Sequence, residues 1–285
     1  MMHRIPRALL TQVTILKSPY SPHRIYLIGT VHVSKKSCES VRELIEIVKP
    51  RSVFLEICEQ RINIISNAED IPKEKSTREM LSDFAQGHTN LFTILYSHLL
   101  HSAGKDLEAP PGGEFRAGAE AAKLCNASIV LGDREVGITV QRVWKGMSGY
   151  TKVQILFQLL FSMVYRPSGD QMREMVEELK DKEHLLFDMI IEIGTLVPWF
   201  VDCIIFERDL YMLNALLNTI DEIKGDEACD VVAVVGAGHV PGITERWNME
   251  MKNPGSQINK ERIKNICKIP GPTNDDDHIT VKDLR

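Results

Sequence analysis

Short apolar runs recur along the chain, and each stops at glycine or a polar group. Ile25 to Ile28, Ser52 to Leu55, Ala127 to Leu131 and Val231 to Val235 read as strands buried on both faces, as in a parallel sheet. Leu9 to Leu16 reads as a further strand, and the link Ser18-Pro19-Tyr20-Ser21-Pro22 predicts a hairpin with residues 24–28. Helical periodicity fills the gaps. Val41, Leu44, Ile45 and Val48 fall on one face, with Ser37 as N-cap and Pro50 as the stop. Strand, helix and strand in this short span make a βαβ unit, which requires parallel pairing and a right-handed crossover.

Residues 66–90 are polar and read as loop with helical pieces, and Leu91 to Leu100 is apolar and helical. Pro110-Pro111-Gly112-Gly113 marks a turn before an alanine-rich helix from Glu114 to Leu124. From 137 to 224 the pattern is helical almost throughout. Met172, Met175, Val176 and Leu179 form one stripe; Phe206, Leu210, Leu213, Leu217 and Ile220 form another. After Pro270 the chain carries Asp275-Asp276-Asp277 and reads as disordered. These patterns predict one α/β domain over 9–269, with an extension at 1–8 and an acidic tail at 270–285. Its central sheet is mostly parallel but mixed, with an N-terminal hairpin and a large helical insertion at 137–224.

Composition narrows the picture. A chain of 285 residues that is 44% hydrophobic can bury a large core. A net charge of −5 argues against a broad nucleic-acid footprint. Six cysteines without a C-x-x-C pair suggest reduced thiols and a cytoplasmic setting. The longest apolar stretch, Leu185 to Phe206, contains Asp188, Glu192, Pro198 and Asp202, so core helices explain it better than a membrane span. Peripheral membrane association and homo-oligomerisation stay open.

The candidate chemistry sits at strand ends. Gly29-Thr30-Val31-His32 and Gly236-Ala237-Gly238-His239 each follow an apolar run and deliver an imidazole to the C-terminal sheet edge. Glu56 with Arg61, and Asp133 with Arg134, end two other strands there. Two histidines and a carboxylate suit a divalent ion such as manganese or zinc and a metal-activated water. Asp133 or Glu207 would be the base, and Arg61, Arg116 or Arg134 would hold an anionic group. Each residue also has a structural reading. The histidines would be hydrogen-bonded core groups, and the glycines before them would only allow tight strand exits. Glu56 and Arg61 would be an ion pair, and Glu207 and Asp209 would favour a helix N-terminal dipole. The Gly236–Gly238 run lacks the third glycine and lysine of a phosphate loop.

Six segments together resemble the TraB/PrgY family, related to the Tiki proteins and more distantly to the ChaN and erythromycin-esterase groups. They are Gly-Thr-Val-His-Val-Ser (29–34), Leu-Glu-Ile-Cys-Glu-Gln-Arg (55–61), Gly-Gly-Glu-Phe-Arg-Ala (112–117) and Leu-Gly-Asp-Arg (131–134), with Thr139 and Arg142 beyond. Glu-Arg-Asp with Met212 (207–212) and Gly-Ala-Gly-His-Val-Pro-Gly-Ile (236–243) complete the set. The resemblance implies an α/β domain that brings the two G-x-x-H motifs together. In the Tiki branch they are implicated in metal-dependent proteolysis with manganese or cobalt, and PrgY-like relatives are linked to inhibition of a peptide pheromone. It therefore implies metal roles for His32 and His239, and less firmly for Glu56. Arg61, Glu114, Arg116, Asp133, Arg134, Glu207 and Asp209 inherit a general site role.

The expectation is a metal-dependent hydrolase of peptide bonds, using manganese, cobalt or zinc on a peptide or protein. The alternative is a non-catalytic adaptor associated with an organelle (mitochondrial) membrane, as some eukaryotic relatives are. An esterase is the third reading.

Overall fold

The computed structural model describes residues 5–30, 35–65, 112–164, 198–223 and 229–269. A short helix α1 (Arg7–Leu10) leads into β1 (Val13–Lys17) and β2 (Arg24–Thr30). Helix α2 (Lys35–Val48) and β3 (Ser52–Leu55) follow, then a 3₁₀ helix at Glu59–Ile64. Next come α3 (Gly113–Leu124), β4 (Ser128–Leu131), α4 (Val136–Gly146) and α5 (Gly149–Val164). Helix α6 (Pro198–Val201) runs through a π-helical turn at Asp202–Phe206 into α7 (Glu207–Glu222). Strand β5 (Asp230–Gly236), a 3₁₀ turn at Ala237–His239, α8 (Val240–Lys252) and α9 (Lys260–Ile266) complete the order.

The five strands form one mixed sheet in the order β1-β2-β5-β3-β4. β1 pairs antiparallel with β2, with Val13 opposite Ile28, and makes the N-terminal hairpin. The other three pairings are parallel: Ile25 with Val231, Val53 with Val232, and Phe54 with Val130. β5 is last in sequence yet central in space. Every residue of it is buried, because helices cover both faces.

Alternation along the strands assigns the faces. Tyr26, Ile28, Val53, Leu55, Val232 and Val234 pack with Val41, Leu44, Ile45 and Val48 of α2 and with Phe115, Ala119 and Ala122 of α3. Ile25, Leu27, Phe54, Val231, Ala233 and Val235 face the other way, onto Met212, Leu213 and Leu216 of α7 and Ile243 and Trp247 of α8. Trp247 also donates its indole N–H to the Lys17 carbonyl at 3.2 Å, tying α8 to the edge strand. The stripe predicted on α7 is real but wider than drawn: Leu210, Leu213 and Ile220 are buried, and so are Met212 and Leu216.

Local differences have physical causes. The strand predicted from Leu9 begins at Val13, because α1 starts after Pro6 and puts Leu9 into the core. Proline just before the first helical turn loses no hydrogen bond there. Ser37 lies inside the first turn of α2, which starts at Lys35, so it is not the N-cap. Gly112, at the end of the predicted Pro-Pro-Gly-Gly turn, adopts a left-handed φ of 86°, and Pro110 and Pro111 lie outside the described residues. The predicted loop at 66–90, the helix at 91–100, the stripe at 172–179 and the tail at 270–285 lie outside the described residues, as does His32. Among the described residues no helix is long and apolar enough to cross a membrane.

Candidate functional site

β2, β5, β3 and β4 are parallel, so their C-terminal ends share one edge of the sheet. β5 enters between β2 and β3, and the turn carrying His239 therefore leaves the sheet beside Glu56. A close approach makes this fit. A Cβ on Gly29 would stand 2.9 Å from Val240 Cγ2 and 3.2 Å from Ala237 Cα, so a bare backbone is needed under the turn. Gly236 has an ordinary φ of −60°, so left-handed freedom is not its purpose. Its N–H donates to Glu56 Oε2 at 2.6 Å. That amide is thus already engaged by a carboxylate.

Four buried side chains converge beyond this edge. His239 Nδ1 lies 2.6 Å from Asp209 Oδ1, and its Nε2 lies 3.3 Å from Glu56 Oε1. Arg208 reaches Glu56, His239 and the fourth, Asp133. Its Nε donates to Asp133 Oδ1 and its Nη2 to Asp133 Oδ2, both at 2.9 Å, and Nη2 also pairs with Glu56 Oε1. Its Nη1 lies 3.1 Å from His239 Nε2 and donates to the Ile204 carbonyl at 3.2 Å. Asp133 Oδ1 additionally accepts from the Arg134 N–H at 2.8 Å.

The electrostatics follow from this packing. Burial alone would lower the His239 imidazole, but the Glu56 charge and the hydrogen bond to Asp209 outweigh it and push the pKa up to about 9. Complete burial raises Asp209 above the usual carboxylate range, against the pull of His239. The two carboxylates outweigh burial at Arg208 and raise its guanidinium further. A carboxylate on Nδ1 fixes the ring orientation and directs Nε2 outward, as in carboxylate–histidine–metal arrangements.

A second buried network stands directly behind the first. Glu207 Oε2 accepts from Arg134 Nη1 at 2.6 Å and from Arg142 Nε at 2.8 Å, and Oε1 accepts from Arg142 Nη2 at 2.5 Å. Arg134 also donates to the Ile266 and Cys203 carbonyls, and Arg142 to those of Asn265 and Lys268. These two arginines clamp the end of α9 onto the domain. Glu207, Arg208 and Asp209 are consecutive, about 100° apart around the helix, and each points to a different partner. They lie in the first turn of α7, but the π turn runs into it without a break, so they do not sit at a free helix end. The N-terminal dipole reading of Glu207 and Asp209 is therefore replaced by direct pairing.

The predicted ion pair of Glu56 with Arg61 is not formed; Arg208 takes that place. Arg61 sits in the 3₁₀ helix after β3, and Arg116 donates to the Ile64 carbonyl at 3.1 Å. Glu114 is buried in the first turn of α3, where its charge adds to burial in raising the Cys38 thiol. Of the predicted residues, the structure thus joins Glu56, Asp133, Asp209 and His239 in one cluster. Arg134 and Glu207 fall in the network behind it. A cleft of about 740 Å³ lies at the opposite sheet edge, lined by Arg24, Arg51, Ser128 and Asp230, away from this chemistry.

The TraB/PrgY/gumN family matches residues 16–259 of the sequence. The chain belongs to that family. The TraB domain-containing proteins of Homo sapiens and Mus musculus are each 29% identical over 267 residues, covering 88% of this chain and 67% of theirs. An uncharacterised protein of Methanocaldococcus jannaschii is 30% identical over 263 residues, covering 86% of this chain and 60% of its own. The matched span of this TraB-family chain runs from the last two residues of β1 to the residue before α9, so it takes in β2 to β5 and the four-residue cluster.

Sequence reasoning missed Arg208. It stood inside the Glu-Arg-Asp triplet, but nothing in the triplet says which residue faces which partner. Among the described residues no three His, Cys, Asp or Glu side chains are disposed to hold a metal ion. An oriented imidazole and two carboxylates instead lie around the Arg208 guanidinium.

Proposed function

We propose that this chain is a metal-dependent hydrolase acting on peptide bonds, with its centre at the C-terminal edge of the sheet. The supporting observation is the buried line Asp209–His239–Glu56, in which one carboxylate orients the imidazole and another meets its outward nitrogen. His239 and His32 are the proposed metal ligands, with Glu56 as third ligand or base. Manganese, cobalt or zinc would supply a water of lowered pKa and a polarised carbonyl. Asp209 holds the His239 ring, and the Gly236 amide holds Glu56 Oε2, while Oε1 faces Arg208 and His239. Asp133 neutralises Arg208 and keeps it at the edge of the centre.

The test is metal content by mass spectrometry on untagged protein, beside the double variant His32→Ala/His239→Ala, followed by a peptide-cleavage screen. Near-stoichiometric metal and turnover in the parent, both lost in the variant, is the expected result. Absence of metal from the parent, with no thermal shift on adding the three ions, would refute it.

One observation favours a second reading, a non-catalytic adaptor. Arg208 pairs both carboxylates within the chain itself, which suits a centre kept for stability. Full turnover loss in the double variant, with the fold retained, would exclude this reading.

A further inference from the structure

We propose that the cleft at the N-terminal edge of the sheet is a binding site for a small phosphate monoester. The proposal is independent of the hydrolase reading, because this cleft and the His239 cluster lie at opposite ends of the same parallel strands.

The cleft, of about 740 Å³, opens where β2, β3, β4 and β5 begin, beside the ends of α2 and α3. Its volume is in the range of small-molecule sites. Its charged lining is Arg24, Lys49, Arg51 and Asp230. Arg24 gives Nε to Asp230 Oδ1 at 2.8 Å and Nη2 to Oδ2 at 3.1 Å, so that acid is neutralised in place. Lys49 and Arg51 are exposed and flank the buried Pro50, and among the described residues neither side chain has a hydrogen-bonding or ionic partner. The described lining therefore carries two surplus positive charges.

The helix ends do not cancel this surplus. The C-termini of α2 and α3 bring roughly half a negative charge each to the rim. The residues chosen there add to the positive side. Lys49 has a left-handed φ of 49° directly after α2, where glycine is the usual residue. Lysine at that position bears backbone strain that glycine would avoid, and what it adds is a cation at the mouth of the cleft. Asn126, with a φ of 54° after α3, adds an exposed amide. Ser128 contributes a hydroxyl that is shared with Ser52 Oγ at 2.7 Å. Val48 and Pro50 give one wall an apolar strip against which an organic body can rest. A phosphate monoester carries nearly two negative charges at neutral pH on three strong acceptor oxygens, which matches two spare cations among hydrogen-bond donors.

The full chain is titrated calorimetrically with ribose 5-phosphate, phenyl phosphate, inorganic phosphate and succinate. The buffer is phosphate-free and of low ionic strength, at a pH where the monoesters are doubly charged. The variants are Arg51→Gln, Lys49→Gly and, as a control for net charge, Arg42→Gln elsewhere on α2. Lys49→Gly removes the cation and relieves the left-handed backbone, so its melting temperature should hold or rise and lost binding cannot be ascribed to unfolding. The expected result is binding of at least one monoester, weakened roughly threefold or more by Arg51→Gln and by Lys49→Gly and unchanged in Arg42→Gln. A smaller change in either cleft variant, or an equal loss in Arg42→Gln, would overturn the proposal by placing the ligand elsewhere. Succinate matching the monoesters, inorganic phosphate binding alone, or no heat from any probe would overturn it too.

Discussion

Replacing Glu207 by glutamine should be among the most damaging single changes in this protein. Glu207 is the only carboxylate among the described residues that pairs with Arg134 and Arg142, whose side chains are 1% and 6% exposed. Its two oxygens accept three charged hydrogen bonds of 2.5 to 2.8 Å. Glutamine keeps the shape, but removes the charge and turns an N–H donor toward one guanidinium. Breaking a buried pair by neutralising one partner costs about 3–5 kcal/mol, because the remaining charge is left uncompensated. Here two cations are left, so the upper part of that range applies. The carbonyls of Ile266, Cys203, Asn265 and Lys268 remain as acceptors and keep the loss from growing further. At about 2–4 °C per kcal/mol for a chain of this class, the melting temperature should fall by roughly 10 °C. Urea unfolding followed by the fluorescence of buried Trp247 gives the free energy directly. A loss below about 1 kcal/mol would refute the reasoning, since it would mean that the arginines reach solvent when Glu207 is neutralised.

Three further outcomes test separate parts of the structure. Burial, helped by Glu207, raises the Asp202 carboxyl to about 6, so the protonated form is favoured in the folded state. This stabilisation is complete below about pH 4 and is lost as pH rises through 6, an effect of about 3 kcal/mol. Asp202→Asn should therefore flatten the decline between pH 4 and 7 in urea midpoints, and an unchanged slope would count against it. A methyl group at Gly242 would lie 2.0 Å from Asp209 Oδ2. Gly242→Ala should push Asp209 off His239, cost about 1–3 kcal/mol as an overpacked site, and lower the His239 pKa. An unchanged imidazole titration by NMR in metal-stripped protein would contradict this. The Arg42–Glu120 pair at 2.9 Å has both side chains about half exposed, so Glu120→Gln should cost no more than about 1 kcal/mol. A larger loss in thermal unfolding would show that exposure is a poor guide here.

The parallel strands were readable because they are short apolar runs with punctuation, and both faces of β5 are covered. The convergence of Glu56, Asp133 and His239 was also readable, since parallel strands bring their C-terminal ends together. The exchange of Arg61 for Arg208 as the partner of Glu56 was not. Arg61 is five residues away and Arg208 is 152 away, and proximity in sequence made the wrong choice attractive. The role of Asp209 was equally hidden. Acids at the start of a helical stripe suggest a dipole, and only the continuous path through the π turn removes that explanation. Arg134 had a general site role by resemblance, yet its side chain points away from the cluster while its backbone N–H supports Asp133.

The wide turn at Asp202–Phe206 turns chain length into chemistry. Each residue in a helix advances the next by about 100°, and a π turn inserts such a step without breaking the rod. Glu207, Arg208 and Asp209 each occupy a heading that depends on that step. Removing one residue from the turn, with the chain before it held in place, would give each residue the heading of its predecessor: the Arg208 guanidinium would face Arg134 and Arg142, and Asp209 would take the heading of Arg208. Residue identity within 202–206 is thus free to drift wherever packing allows, whereas the number of residues there is not. The angular phase of one helix sets which of two adjoining networks each charge joins.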